Sequence, residues 1–316
     1  MKQLLGIIAN KLNIKSKLIH VYERFYDWIR TIQMYLLKPF DDLWKYRNQL
    51  KIRTIDETID LIINKKYSVA RFGDGEFKLL TGDSLGFQTN DTTLINKMRK
   101  ILVEHKNCIV CLPGIFKDES DYTYNCWKYW EKILVHKRKK WYSFCDKDYI
   151  YGNADITRCY MALENKEKSK EYFEKLKQIW LNRKVVIVEG EKTRLGVGND
   201  LFDNCTSIQR ILCPAINAYD YYNSIIYYIR DYFQTDQLIL ISLGPTATLM
   251  AYELAQVGYQ AIDIGNIDKE YEWYKINAHK PIRNPIKFSM EVKGAEQVEN
   301  CTDKEYFCQI IKRIGC

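Results

Sequence analysis

No stretch of this chain approaches the ~20 consecutive apolar residues that cross a bilayer, so no transmembrane helix is expected. The segment Met1 to Ala9 has one lysine and a short apolar run, but Asn10 and Lys11 interrupt it and no small-residue cleavage site follows, which argues against a secretory leader. Cytoplasmic localisation is therefore expected. Matched cysteine pairs are missing as well. The ten cysteines are scattered, and only Cys108-Ile-Val-Cys111 stand close together, inside an apolar run with no second pair downstream. That pattern fits neither a zinc site nor a disulfide framework, so the thiols are expected reduced and buried. Two phosphate-binding signatures are absent too. Gly196-Val-Gly198 lacks the third glycine of a dinucleotide fingerprint and lies too far beyond its strand, and no Gly-Lys-Ser/Thr follows the glycines as a P-loop requires. The basic run His136 to Lys140 reads as a solvated helix end without the broad basic face that nucleic acid needs, so no nucleic-acid partner is expected.

What is present is an ordinary globular composition of 316 residues, 47% hydrophobic and 28% charged, enough for one large α/β domain with an extension. The formal net charge is +8, and the first 50 residues hold nine Lys/Arg against four Asp/Glu, so most of the excess sits at one end. There, Leu18, Val21, Tyr22, Phe25, Trp28, Ile29, Ile32 and Leu36 recur at helical spacing, with Glu23, Arg24, Asp27 and Arg30 on the other side. With Lys11, Lys15 and Lys17 before it and Trp44 after it, this amphipathic helix suits an anionic membrane surface at the inner face of the membrane. Equally, its stripe suits packing on the main domain or on a second copy in a homo-oligomer. Pro39 interrupts the pattern, and the domain boundary is placed near Lys51: residues 1–50 form a basic helical extension and residues 51–316 the catalytic domain.

Thr54-Ile55-Asp56-Glu57 reads as a capping box opening a helix to about Lys65. The strand Ser68 to Arg71 follows, then a helix capped at Asn90-Asp91-Thr92 and running to about His105, and the strand Cys108 to Leu112. An aromatic helix, about Tyr122 to His136, leads into a strand at Trp141 to Phe144. A charged helix over Asn165 to Leu181 precedes strands at Lys184 to Val188, Gln209 to Leu212, Leu238 to Ser242 and Gln260 to Ile264, with helices at Asn217 to Phe233 and Thr246 to Val257. Such alternation argues for a mostly parallel sheet with helices on both faces and ligand loops at the strand carboxyl ends.

One such loop organises the rest. In Arg71-Phe72-Gly73-Asp74-Gly75-Glu76, two carboxylates follow a strand at a spacing of two. In extended backbone that spacing aims Asp74 and Glu76 at one point. Gly73 and Gly75 permit close approach of a ligand, and Arg71 adds a cationic fork for a phosphate. Two hard oxygen donors suit a divalent cation, Mn²⁺ or Mg²⁺, that also holds phosphate oxygens. The alternative is an acidic turn after an edge strand. A second loop, Glu189 to Asp200, offers Lys192 and Arg194 as counter-charges for a diphosphate, or is an ordinary surface loop. In the third, Ser242-Leu243-Gly244-Pro245-Thr246-Ala247-Thr248, Pro245 fits the first helical turn and the N–H groups around Thr246 form an anion site, unless the segment merely connects strand to helix. The fourth, Gly265-Asn266-Ile267-Asp268, adds an amide and a carboxylate.

Four of these segments together resemble the GT-D fold glycosyltransferases: Arg71 to Glu76, Val188 to Asp200, Leu243 to Thr248, and Gly258 to Gly265 running on to Glu270-Tyr-Glu-Trp273. The likeness covers roughly Lys51 to Ile276. It implies a Rossmann-like sheet and a nucleotide-sugar donor, typically UDP-glucose. It further implies a glycan or glycoprotein acceptor of the bacterial surface, and an Asp-x-Glu motif serving metal and donor that falls on Asp74 and Glu76. Where the family often has histidine after Asp-Ile-Gly, this chain has Asn266, which leaves the third metal or phosphate contact open. On the combined reading, Arg71, Lys192 or Arg194 and the Gly244-Pro245-Thr246 turn hold the donor phosphates, and Asp200 or Asp268 is the general base. The other classes considered are a nucleotide-sugar-binding scaffold that transfers nothing and a nucleotide-dependent phosphoryl-transfer enzyme, the latter disfavoured by the missing P-loop.

Overall fold

The computed structural model describes residues 15–316 apart from Lys293. Met1 to Ala9, Lys11 and the side chains of Lys15 and Lys17 lie outside what is described. Two compact units divide the chain, one formed by residues up to Gln49 together with Tyr124–Tyr142, the other by Leu50–Thr123 and Ser143–Cys316.

The first unit pairs two helices, α1 (Lys15–Arg47) and α5 (Tyr124–Tyr142). The helix α1 runs on through Pro39, where the sequence pattern was expected to break. A proline there removes one backbone donor, and tertiary contacts on both sides of it keep the helix going: Tyr35 Oη lies 3.3 Å from Tyr124 Oη, and Arg138 Nε donates to Asp41 Oδ2 at 2.6 Å. The strand expected at Trp141 to Phe144 does not form. Trp141 and Tyr142 are instead the buried last turn of α5, because apolar residues at Trp130, Leu134 and Trp141 continue its 3.6-residue period.

In the second unit, nine parallel strands form one sheet in the order β1-β4-β3-β2-β8-β7-β5-β6-β9. They are β1 (Lys51–Ile52), β2 (Ser68–Arg71), β3 (Cys108–Leu112), β4 (Ile150–Asn153), β5 (Lys184–Gly190), β6 (Ser207–Cys213), β7 (Leu238–Ser242), β8 (Gln260–Asp263) and β9 (Ile310–Arg313). The helices of this unit are α2 (Ile55–Lys65), α3 (Asp74–Leu80), α4 (Thr92–Ile101), α6 (Glu167–Trp180), α7 (Tyr222–Tyr232), α8 (Pro245–Gln256), α9 (Ile267–Lys275) and α10 (Lys304–Gln309). The capping box at Thr54 is present in both halves, Glu57 N to Thr54 Oγ1 at 3.1 Å and Thr54 N to Glu57 Oε2 at 2.8 Å. Ile59, Phe173 and Tyr271 of α2, α6 and α9 share one apolar cluster with Val69, Ile187, Leu240 and Ile262. The alternate residues Ala70, Val110, Ile239 and Ile241 are buried too. Successive strand residues face opposite ways, so both faces are covered, which is why these strands read as unbroken apolar runs.

The strand order decides where ligands bind. From β2 the chain turns to β3 on one side, while β8, its other neighbour, leads to α9 and later to β9 at the opposite edge. From β5 the chain turns to β6, and from the adjacent β7 it turns the other way to β8. In open parallel sheets a crevice forms where adjacent connections diverge like this. The four loops singled out in the sequence follow β2, β8, β7 and β5, and so flank two such points.

Candidate active site

The acidic loop is not extended. Helix α3 begins at Asp74, with Gly73 as its cap residue, so Asp74 and Glu76 sit in a first helical turn, about 200° apart around the axis instead of side by side. Glu76 folds back and its Oε2 accepts from Gly73 N at 2.7 Å, while Asp74 pairs with Lys78 one turn on. Acidic residues are favoured here by the exposed N–H groups of the turn. Burial pushes the Glu76 carboxyl up to about 7, and the neighbouring carboxylates of Asp263 and Asp74 push the same way.

Arg71, at the end of β2, is committed to its neighbours. Nε donates to Asp263 O at 2.8 Å, Nη2 pairs with Asp263 Oδ1 at 2.9 Å, and Nη1 reaches Ala154 O at 3.3 Å. Gly265 N donates to the same Asp263 oxygen at 3.1 Å, and Thr248 Oγ1 lies 2.9 Å from Arg71 O and 3.2 Å from Asp263 Oδ2. Gly265 has φ +45, and a Cβ there would stand 1.9 Å from Arg71 Nη2, so only glycine fits. The ends of β2 and β8 and the first turn of α8 are thus locked together around one buried ion pair.

Beside it lies a network the sequence reading did not assign. Glu291 accepts from Arg158 and from the Asn266 amide, and Lys269 Nζ donates to Asn266 Oδ1 at 3.1 Å. Burial opposes the charge of Arg158, but Glu291, Glu270 and Asp74 together hold its proton more tightly than usual, which puts Asp74 in the same field. Burial lowers the Lys269 ammonium. Glu270, buried, accepts from Tyr160 N at 3.1 Å and Met161 N at 2.7 Å and so anchors the turn that carries Arg158. Asp263 had a visible signal, a charge ending an apolar strand. Arg158 and Glu291 stand in irregular segments with no periodicity to mark them.

The loop after β5 belongs to a different network. Lys192 is exposed, and its carbonyl accepts from Phe288 N at 2.9 Å. Arg194 Nη1 donates to Ile286 O at 2.6 Å and Glu299 O at 2.8 Å, fastening the 284–299 segment. Asp268 is buried and accepts from Gly196 N (2.9 Å), Asn199 Nδ2 (2.8 Å) and Lys287 Nζ (2.6 Å). Around Asp200, burial alone would raise the carboxyl, but Lys177, Lys275 and Tyr271 hold it well below the usual carboxylate range.

At the start of α8, Gly244 has φ +54, and a Cβ on it would stand 2.7 Å from the Phe87 ring. Pro245 takes the first helical position. Thr246 is fully buried, and its hydroxyl has no hydrogen-bond partner among the described residues.

Among the described residues no three Asp, Glu, His or Cys ligand atoms converge at this rim. A hard divalent ion that keeps phosphate and water oxygens needs only one or two carboxylates from protein. Asp74 offers one such carboxylate, paired here with Lys78, while Glu76 is turned back onto Gly73 N. The Asn266 oxygen accepts from the Lys269 ammonium and its amide donates to Glu291, so both ends of the side chain are taken up by this network.

The pattern of the glycosyltransferase GT-D fold matches residues 69–292. The chain is 39% identical over 276 residues to glycosyltransferase GlyD of Streptococcus pneumoniae, covering 87% of this chain and 34% of that protein. It is 37% identical to a probable glycosyl transferase of Streptococcus gordonii, covering 84% and 39%. It therefore spans little more than a third of the length of these curated relatives. A solved domain of unknown function described as having a distinct glycosyltransferase fold superposes with a TM-score of 0.81 at 38% identity, covering 86% of this chain and 98% of that one. A new glycosyltransferase from Streptococcus sanguinis gives 0.79 at 37%, covering 84% and 100%.

Proposed function

This chain belongs to the GT-D fold glycosyltransferases, and on that premise we propose that it moves a hexose, glucose foremost, from a UDP-sugar to a glycan or glycoprotein acceptor of the bacterial surface. The observation that carries this reading is the pairing of two first-turn carboxylates with a cationic network at the β2/β8 divergence. Asp74 would hold Mn²⁺ or Mg²⁺, joined by Glu76 once its carboxylate leaves Gly73 N, and the bound ion would neutralise charge on the departing diphosphate. Arg158 and Lys269, steered by Glu291 and Asn266, supply fixed positive charge beside Asp74, and the α8 N-terminus supplies neutral donors. Arg71 acts at one remove, since its guanidinium is spent on Asp263. Asp200 and Asp268, both ion-paired, act as positioning groups that hold the β5 loop to α9. A carboxylate whose lone pairs are all taken is a poor base.

The test is UDP release from UDP-glucose with acceptor present. Asp74→Asn and Glu76→Gln are each expected to lower the rate by at least about 10³-fold with an unchanged melting temperature, and EDTA to do the same to the wild type. Full activity in either variant would remove the metal assignment. Donor binding without any UDP release would point to a non-catalytic binder.

A further inference from the structure

The pair of helices α1 and α5 plays no part in the site just described, and its surface is built the wrong way round for a free-standing element. The side of α1 turned to α5 carries buried ion pairs, with Met34 and the Trp44 ring against Tyr142 as its apolar contacts. Arg138 bonds Asp41 at 2.6 Å and Glu131 at 3.1 Å with both helices' partners buried, Lys38 bridges Asp42 (2.9 Å) and Glu131 (3.3 Å), and Lys132 pairs with Asp27. The opposite side is apolar and open. Phe25, Trp28, Ile32, Leu36, Phe40 and Leu43 follow one another at steps of three and four, lie on one stripe, and are each between 40% and 74% exposed. The stripe is about 27 Å long. An amphipathic helix ordinarily buries its apolar face, and a contiguous exposed one marks an interaction site.

Charge selects the partner. Residues 1–49 and 124–142 together hold fifteen Lys/Arg against five Asp/Glu, a net +10, whereas the whole chain is +8 and the remainder therefore −2. The entire positive excess sits on the unit that shows the apolar stripe. A second copy docking stripe to stripe would bring +10 against +10. An anionic bilayer meets both features at once, taking Trp and Phe into its interface and attracting each Lys or Arg near its surface. The stripe mixes aromatic and aliphatic side chains around Pro39, which suits a fluid surface better than the regular knobs of a paired helix.

We propose that this unit docks the protein on an anionic membrane surface, with α1 lying in the interface, stripe inward. The test uses the full chain and flotation with vesicles of neutral phosphatidylcholine, with or without about a third anionic phosphatidylglycerol. At low salt, binding to the anionic vesicles is expected to exceed that to neutral ones by at least about tenfold, and raising salt to about 0.5 M should remove most of the difference. Trp28→Glu with Phe40→Glu is expected to weaken binding at least about tenfold, with melting temperature and UDP release unchanged because both side chains are exposed. No flotation with anionic vesicles would overturn the proposal, as would a wild-type dimer in sedimentation velocity that the same double variant converts to monomer. Neither outcome depends on whether the donor assignment is right.

Discussion

A carboxyl pushed up to about 7 still carries its proton about half the time at neutral pH, and at Glu76 the displacement of that proton by a metal can be measured. Below about pH 7 the proton and a divalent ion compete for the same oxygens; above it the competition ends. Mn²⁺ affinity of the wild type is therefore expected to rise about tenfold per pH unit between about 5.5 and 7 and to level off above, with proton release seen by calorimetry in buffers of different ionisation enthalpy. Glu76→Gln should bind more weakly and lose the slope. A flat profile in the wild type would place the ion elsewhere. What marked Asp74 and Glu76 in the sequence was a pair of carboxylates flanked by glycines at the end of an apolar strand. Their geometry was not legible there, because the same acidic residues also suit a helix N-terminus, and the N–H groups of that turn won. The partners of Arg71 and Arg194 were hidden for a simpler reason: they are backbone carbonyls and a strand-end aspartate far away in sequence, and neither leaves a local pattern.

Elements with local chemistry were readable, and those made by distant packing were not. Thr54, Asp91 and Pro245 each announce a helix start by a mechanism that operates within four residues, and all three helices begin there. The short edge strands β1 and β9 and the short β4 beside β1 have two to four residues each, too few to show a period, and exist only because a neighbouring strand offers hydrogen bonds. The loop from β8 into α9 lies between these cases. Its Asp-Ile-Gly run is conspicuous, yet the need for Gly265 comes from Arg71, 194 positions earlier. Gly265→Ala combines a left-handed φ with displacement of the guanidinium from Asp263, and is expected to cost about 3 kcal/mol. In a chain of this size that lowers Tm by roughly 6–12 °C. Gly198→Ala is the control: φ is +78 but nothing lies within 4 Å of the added methyl, so a loss near 1 kcal/mol is expected. Equal losses in the two variants, by thermal scan, would mean that the Arg71 lock carries no weight.

Across the whole molecule, the doubly covered parallel sheet follows from strand and helix alternation, and its divergence points from strand order, which no single segment encodes. The same burial that makes the sheet stable leaves carboxyls in surroundings that disfavour their charge. Glu270 is 1% exposed, and burial pushes it up to about 7 against the pull of Arg158. In the unfolded chain a glutamate ionises near 4.5. Below that value both states carry the proton and pH has no effect. Between about 4.5 and 7 the unfolded state gives up its proton while the folded state keeps it, so stability falls as pH rises; above 7 both are ionised and the loss is complete. The full shift corresponds to about 3 kcal/mol, an upper bound because water penetration relaxes buried charges. Glu270→Gln keeps an oxygen for Tyr160 N and Met161 N and removes the ionisation. The variant is therefore expected to be more stable than the wild type by about 2–3 kcal/mol at pH 8, by less at pH 6, and by nothing at pH 4.5, as read from urea midpoints across that range. A variant less stable than the wild type at pH 8 would mean that the attraction between ionised Glu270 and Arg158 outweighs the burial of its charge, and that the Arg158 turn is held electrostatically as well as by its two backbone hydrogen bonds.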